Sequence, residues 1–232
     1  MAVCPTKTSY QGSKQHSSPG SEGRRRICFL LNNLTESNLE DHVLLVAELL
    51  PHQSIRWLST LLLNRLKSES NLVQLYVDFV TNMCIHHRNF GRSIFNQLTQ
   101  DIDSLLLQLS TDPSNENARK LKNMGAFLGR LTIARDIRLC IDLKILVFNA
   151  YRNNKNSLDY FLPFICEILK SVALSNTANS EVPWVKEILQ VLKELYEITD
   201  RLPIQFEVEL LFTSLKADLA STSPAFYLRH IQ

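Results

Sequence analysis

Apolar residues return along this chain at helical spacing, stripe after stripe. Leu72, Leu75, Tyr76, Phe79, Val80 and Met83 recur at i, i+3, i+4, i+7, i+8 and i+11, which lines them along one side of a 3.6-residue helix. Phe161, Phe164, Ile165, Ile168, Leu169 and Val172 repeat the pattern. So do Val185, Ile188, Leu189, Leu192, Leu195 and Tyr196, and then Val208, Leu211, Phe212, Leu215 and Leu219. Each stripe has to be buried against a neighbour. Only six glycines and eight prolines occur in 232 residues, too few for the frequent tight turns of an all-β fold. The chain is therefore constrained to amphipathic helices in series, each covering the next.

The breaks fall between the stripes. Pro51 separates a helix at about 38–49 from one at about 52–67. Asp112-Pro113 ends a helix near Leu109, and Ser114 is placed to cap the next. Asn153-Asn154 closes a helix after Tyr151, while Pro183 and Pro203 suit first-turn or pre-helix positions. This gives about ten helices in about five antiparallel hairpins: an all-α, HEAT-like solenoid whose repeats share geometry without sharing sequence. Residues 1–25, rich in Ser, Gln, Gly, Lys and Thr, cannot bury enough apolar surface to offset their ordering entropy and read as a disordered tail. Residues 26–219 form the domain, and 220–232, with Pro224 inside a Ser/Thr cluster, read as a flexible end. Trp184 is expected to pack between the last two hairpins.

Composition removes several function classes. An apolar content of 45% supports a sizeable core, and a net charge of +2 gives no sign of the basic surface that non-specific nucleic-acid binding needs. Cys4, Cys28, Cys84, Cys140 and Cys166 are odd in number and widely spaced, as expected for reduced thiols in a cytosolic or nuclear protein. No apolar run is long enough for a membrane span and the start lacks a signal-type apolar region. Asn33-Leu34-Thr35 fits a glycosylation sequon that a cytosolic protein leaves unused. Cys84, His86 and His87 lack a fourth ligand for zinc. Arg24-Arg25-Arg26 reads as a solvated linker end, a phosphate contact or a small nuclear signal. With no phosphate-binding glycine loop and no acidic metal cluster, neither a catalytic residue nor a cofactor is expected.

Several segments between Cys28 and Leu215 carry a resemblance. Leu121-Lys122-Asn123-Met124-Gly125, Phe127-Leu128-Gly129 and Thr132-Ile133-Ala134 follow the order of "LKNLG-x-WLG-x-x-TLA". Asn32-Asn33-Leu34 with Ser37-Asn38 matches an "NNLS-x-SN" opening. Asn71, Leu75-Tyr76 and Phe79 match "N-x-x-x-LY-x-x-F". Further matches are Asp142-Leu143-Lys144 with Ala150-Tyr151, Leu162-Pro163-Phe164, Pro183-Trp184, and Phe206-Glu207-Val208-Glu209-Leu210-Leu211 against "KFEIEVL". In this order the segments resemble the MIF4G-type HEAT-repeat domain of the large scaffold subunit, subunit one, of the CCR-NOT deadenylase complex. Three departures stand out. Arg135-Asp136-Ile137-Arg138 replaces the family's "NKPI" turn, Ser175 to Glu181 replaces a Pro-rich lead-in, and Phe127 stands where the family has Trp.

The resemblance implies a non-catalytic scaffold. Its expected partners are a DEDD-type deadenylase subunit, a DEAD-box helicase of the decapping-activator type that docks on the concave side, and other CCR-NOT subunits through the full scaffold. It implies coupling of deadenylation to translational repression and decay in the cytoplasm, including P-bodies, with a nuclear pool compatible. Two other readings stay open at this point: a MIF4G-type translation-initiation adaptor with a different helicase, and an RNA-binding helical repeat. The candidate partner-binding residues are Lys122, Asn123, Phe127 and Arg130 on the best-matched helix, with Gln74, Asp78 and Thr81 on the polar side of the helix beginning at Asn71. Phe127 is either an anchor at the border of its stripe or edge core. Gln74, Asp78 and Thr81 either line the concave side or are merely solvated. On the anchor reading, Phe127→Ala with Arg130→Glu weakens helicase binding and leaves the fold intact. A circular-dichroism spectrum dominated by helix is expected, and a strong strand signature would overturn the fold reading.

Overall fold

The computed structural model describes residues 20–139, 141–153 and 157–229. Residues 1–19 of the expected tail, together with Cys4, Cys140 and Asn154, lie outside the described residues. Ten α-helices follow one another: α1 (Ser21–Asn32), α2 (Leu39–Leu49), α3 (Ile55–Leu66), α4 (Val73–His86), α5 (Phe90–Thr111), α6 (Asn115–Leu131), α7 (Leu143–Asn153), α8 (Leu158–Lys170), α9 (Pro183–Ile198) and α10 (Leu202–Ser214). No described residue is in a strand.

The punctuation acts largely as the sequence requires. Pro183 opens α9, and Pro203 sits in the first turn of α10, where a missing N–H costs nothing. Ser114 occupies the N-cap position of α6, but its side chain makes no capping bond. Helix α1 starts five residues ahead of the expected domain boundary. The buried Ile27, Leu30 and Leu31 anchor it, and the helix extends one polar turn upstream to Gly20.

Five hairpins stack so that second helices pack on second helices. Helix α2 lies on α4, α4 on α6, α6 on α8 and α8 on α10, while α3 lies on α5 and α7 on α9 in the first-helix layer. The unbroken row of second helices is the HEAT-like feature, and it places α4, α6, α8 and α10 along one side of the array.

Helix α6 sits at the centre and meets α3, α4, α5 and α8. It is therefore buried over most of its circumference, not along a single stripe. Two glycines make its approach to α8 possible. A Cβ at Gly125 would lie 2.7 Å from the carbonyl oxygen of Phe164, and one at Gly129 would lie 2.7 Å from that of Ile168. Phe127 is fully buried, which corrects the anchor reading. The second flank of α6 is also core, because helices press on it from both sides.

The C-terminal segment is not loose as far as it is described. Glu194, on α9, has no exposed surface. Its carboxylate accepts hydrogen bonds from the backbone N–H groups of Tyr227 (2.5 Å), Leu228 (2.9 Å) and Arg229 (2.9 Å). A buried carboxylate has to be paired, and here backbone donors do it. Leu228 is buried beside it, Tyr227 meets Phe148 of α7 with ring centroids 5.2 Å apart, and the Ala225 N–H reaches the Gln190 carbonyl. The segment is a strap over α7 and α9. Trp184, in the first turn of α9, is 41% exposed and is not packed away between the last two hairpins.

Three substitutions test this packing. Gly129→Ala forces backbone against backbone and should lower stability by about 1–3 kcal/mol, the usual cost of overpacking, whereas Gly20→Ala, with nothing within 4 Å, should be silent. Phe127→Ala should cost about 3–5 kcal/mol as a core truncation. Thermal melts check all three, and an unchanged midpoint for Phe127→Ala would contradict its burial.

Candidate partner-binding surface

The second-helix row brings five of the seven candidate residues to one polar surface between α4 and α6. Arg130 donates to the side-chain oxygen of Gln74 at 3.0 Å, and the Gln74 amide donates to Asp78 at 2.9 Å. Thr81 donates to the Val77 carbonyl one turn back and receives a bond from Arg135. Lys122 lies 3.8 Å from Glu167 on α8 and 3.6 Å from Glu207 on α10, and Lys170 lies 2.8 Å from Glu167. A groove of about 250 Å³ runs between these groups, bordered by Gln74, Lys122, Ala126, Arg130 and Glu167. The ion pairs are partly solvated, so each contributes little to stability. Their alternating charge gives the surface a definite pattern that a polar partner could match.

The other two candidates face inward. Asn123 is 5% exposed, and its amide donates to the carbonyls of Leu66 (3.3 Å) and Lys67 (3.1 Å). These are orphan acceptors at the end of α3, so Asn123 fastens one helix to another and is not available to a partner. Phe127 is core, as described above.

A surface that the sequence reasoning missed lies on α10. Leu202, Phe206 and Leu210 follow at i, i+4 and i+8 and are 76%, 58% and 39% exposed. They point away from the buried Ile204, Val208, Leu211 and Phe212. The signal was present: the helix reads LPIQFEVELLFTS, with more apolar residues than one face can bury. Phe206 and Leu210 also belong to the segment that carries the resemblance, and packing accounts only for its Val208 and Leu211. Contiguous exposed apolar surface is a feature of protein-interaction sites.

The remaining sequence candidates have structural surroundings. His87 is nearly buried, with its Nε2 3.1 Å from the Ala47 carbonyl and its ring edge-on to His52. His86 is exposed. Cys28, Cys84 and Cys166 are free thiols, and burial pushes the Cys84 and Cys166 thiols up from their ordinary pKa, the opposite of activation. Among the described residues no three His, Cys, Asp or Glu side chains are grouped to hold a metal ion. No described helix is long and apolar enough to cross a membrane. Arg24 lies over the Trp57 ring at 5.3 Å, and Arg25 and Arg26 are exposed.

Comparison with known proteins places this geometry. The family model for the CCR4-NOT transcription complex subunit 1 CAF1-binding domain matches residues 15–232. The CCR4-NOT transcription complex subunit let-711 of Caenorhabditis elegans is 33% identical over 205 residues, which are 84% of this chain and 8% of that protein. The general negative regulator of transcription subunit 1 of Schizosaccharomyces pombe is 28% identical and that of Saccharomyces cerevisiae 29% identical, each over 211 residues, 88% of this chain and 10% of theirs. The chain thus spans a small fraction of the length of the relatives it matches. With a helical hairpin array over the described part of the matched span, this chain belongs to the CAF1-binding domain family of CCR4-NOT transcription complex subunit 1.

Proposed function

We propose that this chain is a non-catalytic scaffold domain that holds a CAF1-type deadenylase and a DEAD-box helicase, linking messenger-RNA deadenylation to translational repression and decay in the cytoplasm. The observation that carries the reading is the match of residues 15–232 to a family named for CAF1 binding. Two surfaces of different chemistry support a two-partner role. The apolar row Leu202, Phe206 and Leu210 suits a partner that contributes apolar contacts, and we assign it to the deadenylase. The polar surface of Gln74, Asp78, Lys122 and Arg130 lies on the second-helix side, and we assign it to the helicase. The mechanism is tethering: two partners held on one rigid array meet the same transcript at high effective concentration. A row of helices braced by a continuous core keeps the distance between them set.

Binding assays with a purified CAF1-type deadenylase and a DEAD-box helicase separate the two assignments. Phe206→Glu with Leu210→Glu should weaken deadenylase binding at least tenfold, about 1.4 kcal/mol, and leave the helicase unaffected. Lys122→Glu with Arg130→Glu should do the reverse. Both double variants alter exposed or half-exposed side chains and should melt within a few degrees of the parent chain. Neither partner binding the parent chain would overturn the scaffold reading, and equal losses for both partners in either variant would overturn the separation of surfaces. The chain alone should neither shorten poly(A) nor hydrolyse ATP. Activity that persists after rigorous removal of co-purifying proteins would refute the non-catalytic assignment.

A further inference from the structure

The net charge of +2 averages over a molecule that gathers arginines at one end. Arg24, in the first turn of α1, lies over the ring of Trp57 in the first turn of α3, 5.3 Å from its centroid. One turn further into α3, the Ser59 hydroxyl meets that of Ser93, in the first turn of α5, at 2.9 Å. Between α4 and α5, His87 packs edge-on to His52 with centroids 5.5 Å apart and reaches the Ala47 carbonyl near the end of α2. The starts of α1, α3 and α5 therefore lie side by side, with the ends of α2 and α4 beside them. Packed helices run about 8–10 Å apart, so a row of three starts is about 20 Å long.

Each of the three helices carries arginine in or beside its first turn. Arg24, Arg25 and Arg26 belong to α1, Arg56 to α3 and Arg92 to α5, and Arg88 sits in the turn before α5. All six are exposed, and none is in an ion pair among the described residues. The carboxylates at the same helix ends are Glu22 of α1 and Glu48 of α2. Past α4 come Arg135, bonded to Thr81, and Asp136, bonded to Ser175, one charge of each sign. Seven guanidinium groups thus stand against three carboxylates. The arrangement also runs against helix stability. The free N–H groups of a helix start are electropositive, so cations in the first turn are unfavourable there, and neither α3 nor α5 has an acidic first-turn residue to balance them. An anion laid along the row satisfies the guanidinium groups and the helix starts together. The six cations are all arginine, whose planar fork matches a phosphate with two parallel bonds. Phe29, 64% exposed, lies one turn beyond Arg25 on the same side of α1. A cationic track with an exposed aromatic ring suits single-stranded nucleic acid, whose bases are free to stack on the ring. A duplex keeps its bases stacked inside and leaves such a ring unused.

We propose that this end of the array binds single-stranded RNA, with the arginines at the starts of α1, α3 and α5 on successive phosphates and Phe29 as a stacking surface for a base. Binding through phosphates is independent of base sequence. The deadenylase and helicase assignments use other residues, so loss of RNA binding and loss of either protein partner are separate results.

Fluorescence anisotropy of the full chain with fluorescein-labelled polyadenylate and polyuridylate oligonucleotides tests the proposal. Both should bind. Between about 50 and 200 mM KCl the affinity should fall about 50- to 300-fold, as the release of counterions from about four to six phosphates requires. Arg56→Gln with Arg92→Gln should weaken binding about tenfold or more and flatten the logarithmic salt dependence by about 1.4, two contacts' worth. The same variant should melt at or above the parent temperature, because it removes cations from two helix starts. Lys186→Gln with Lys216→Gln, which removes the same charge in the last hairpin, should leave RNA binding unchanged. Phe29→Ala should cost the single strands about fivefold or more, the loss of one stacked base. Four results would overturn the proposal: neither oligonucleotide binds at 50 mM KCl, a duplex RNA of equal length binds as tightly as the single strands, the two double variants lose equally, or phosphatidylserine vesicles are bound and RNA is not.

Discussion

The close approach of α6 to α8 is the contact on which the rest of the array depends. Gly125 and Gly129 let the backbones of two successive second helices come together, with the Phe164 ring, the Ser171 hydroxyl and the carbonyl oxygens of Phe164 and Ile168 set directly against the glycines. In a helix interior each glycine costs about 0.5–1 kcal/mol relative to alanine, and the return is an approach that a Cβ on α6 would block. That contact joins the third hairpin to the fourth. Phe127, Leu128 and Met124 are fully buried on α6, which also meets α3, α4 and α5, and the solenoid continues as one core instead of two.

Where the chain leaves its helices, buried or multiply bonded carboxylates take over the organising role. Glu194 gathers three backbone N–H groups of the C-terminal strap, and Asp136 gathers the 175–177 segment. Asn123 does similar work with a side-chain amide at the end of α3. In each case a single polar side chain satisfies groups that no regular ladder reaches. Charge-assisted bonds of this type are stronger than neutral ones and directional, so they can order a segment that has few apolar residues of its own.

These supports leave surfaces of contrasting character on a frame with little freedom to adapt. The α4–α6 surface is polar and cross-linked by Arg130, Gln74 and Lys122, the outer side of α10 is apolar, and the end where α1, α3 and α5 start is basic. A family whose name describes binding, not catalysis, is well served by such an arrangement. A partner recognises a pre-formed surface and does not have to order it, which lowers the entropic cost of binding.

The helical periodicity, the scarce turn residues and the placement of Pro183 and Pro203 by themselves determined an all-α array of about five hairpins, because an amphipathic stripe leaves no other way to bury itself. The same reading put Gln74, Asp78, Thr81 and Arg130 on polar sides of their helices, where a residue opposite a stripe faces outward unless a second neighbour covers it. What periodicity cannot state is how many neighbours a helix has. Phe127 and Asn123 became core because α6 is enclosed on several sides, and Phe206 stayed exposed because α10 ends the row and has no helix beyond it among those described. The strap on Glu194 and the Asp136 tie join residues more than thirty positions apart through individual hydrogen bonds. Such contacts leave no repeating trace in a sequence, and only the tertiary structure decided them.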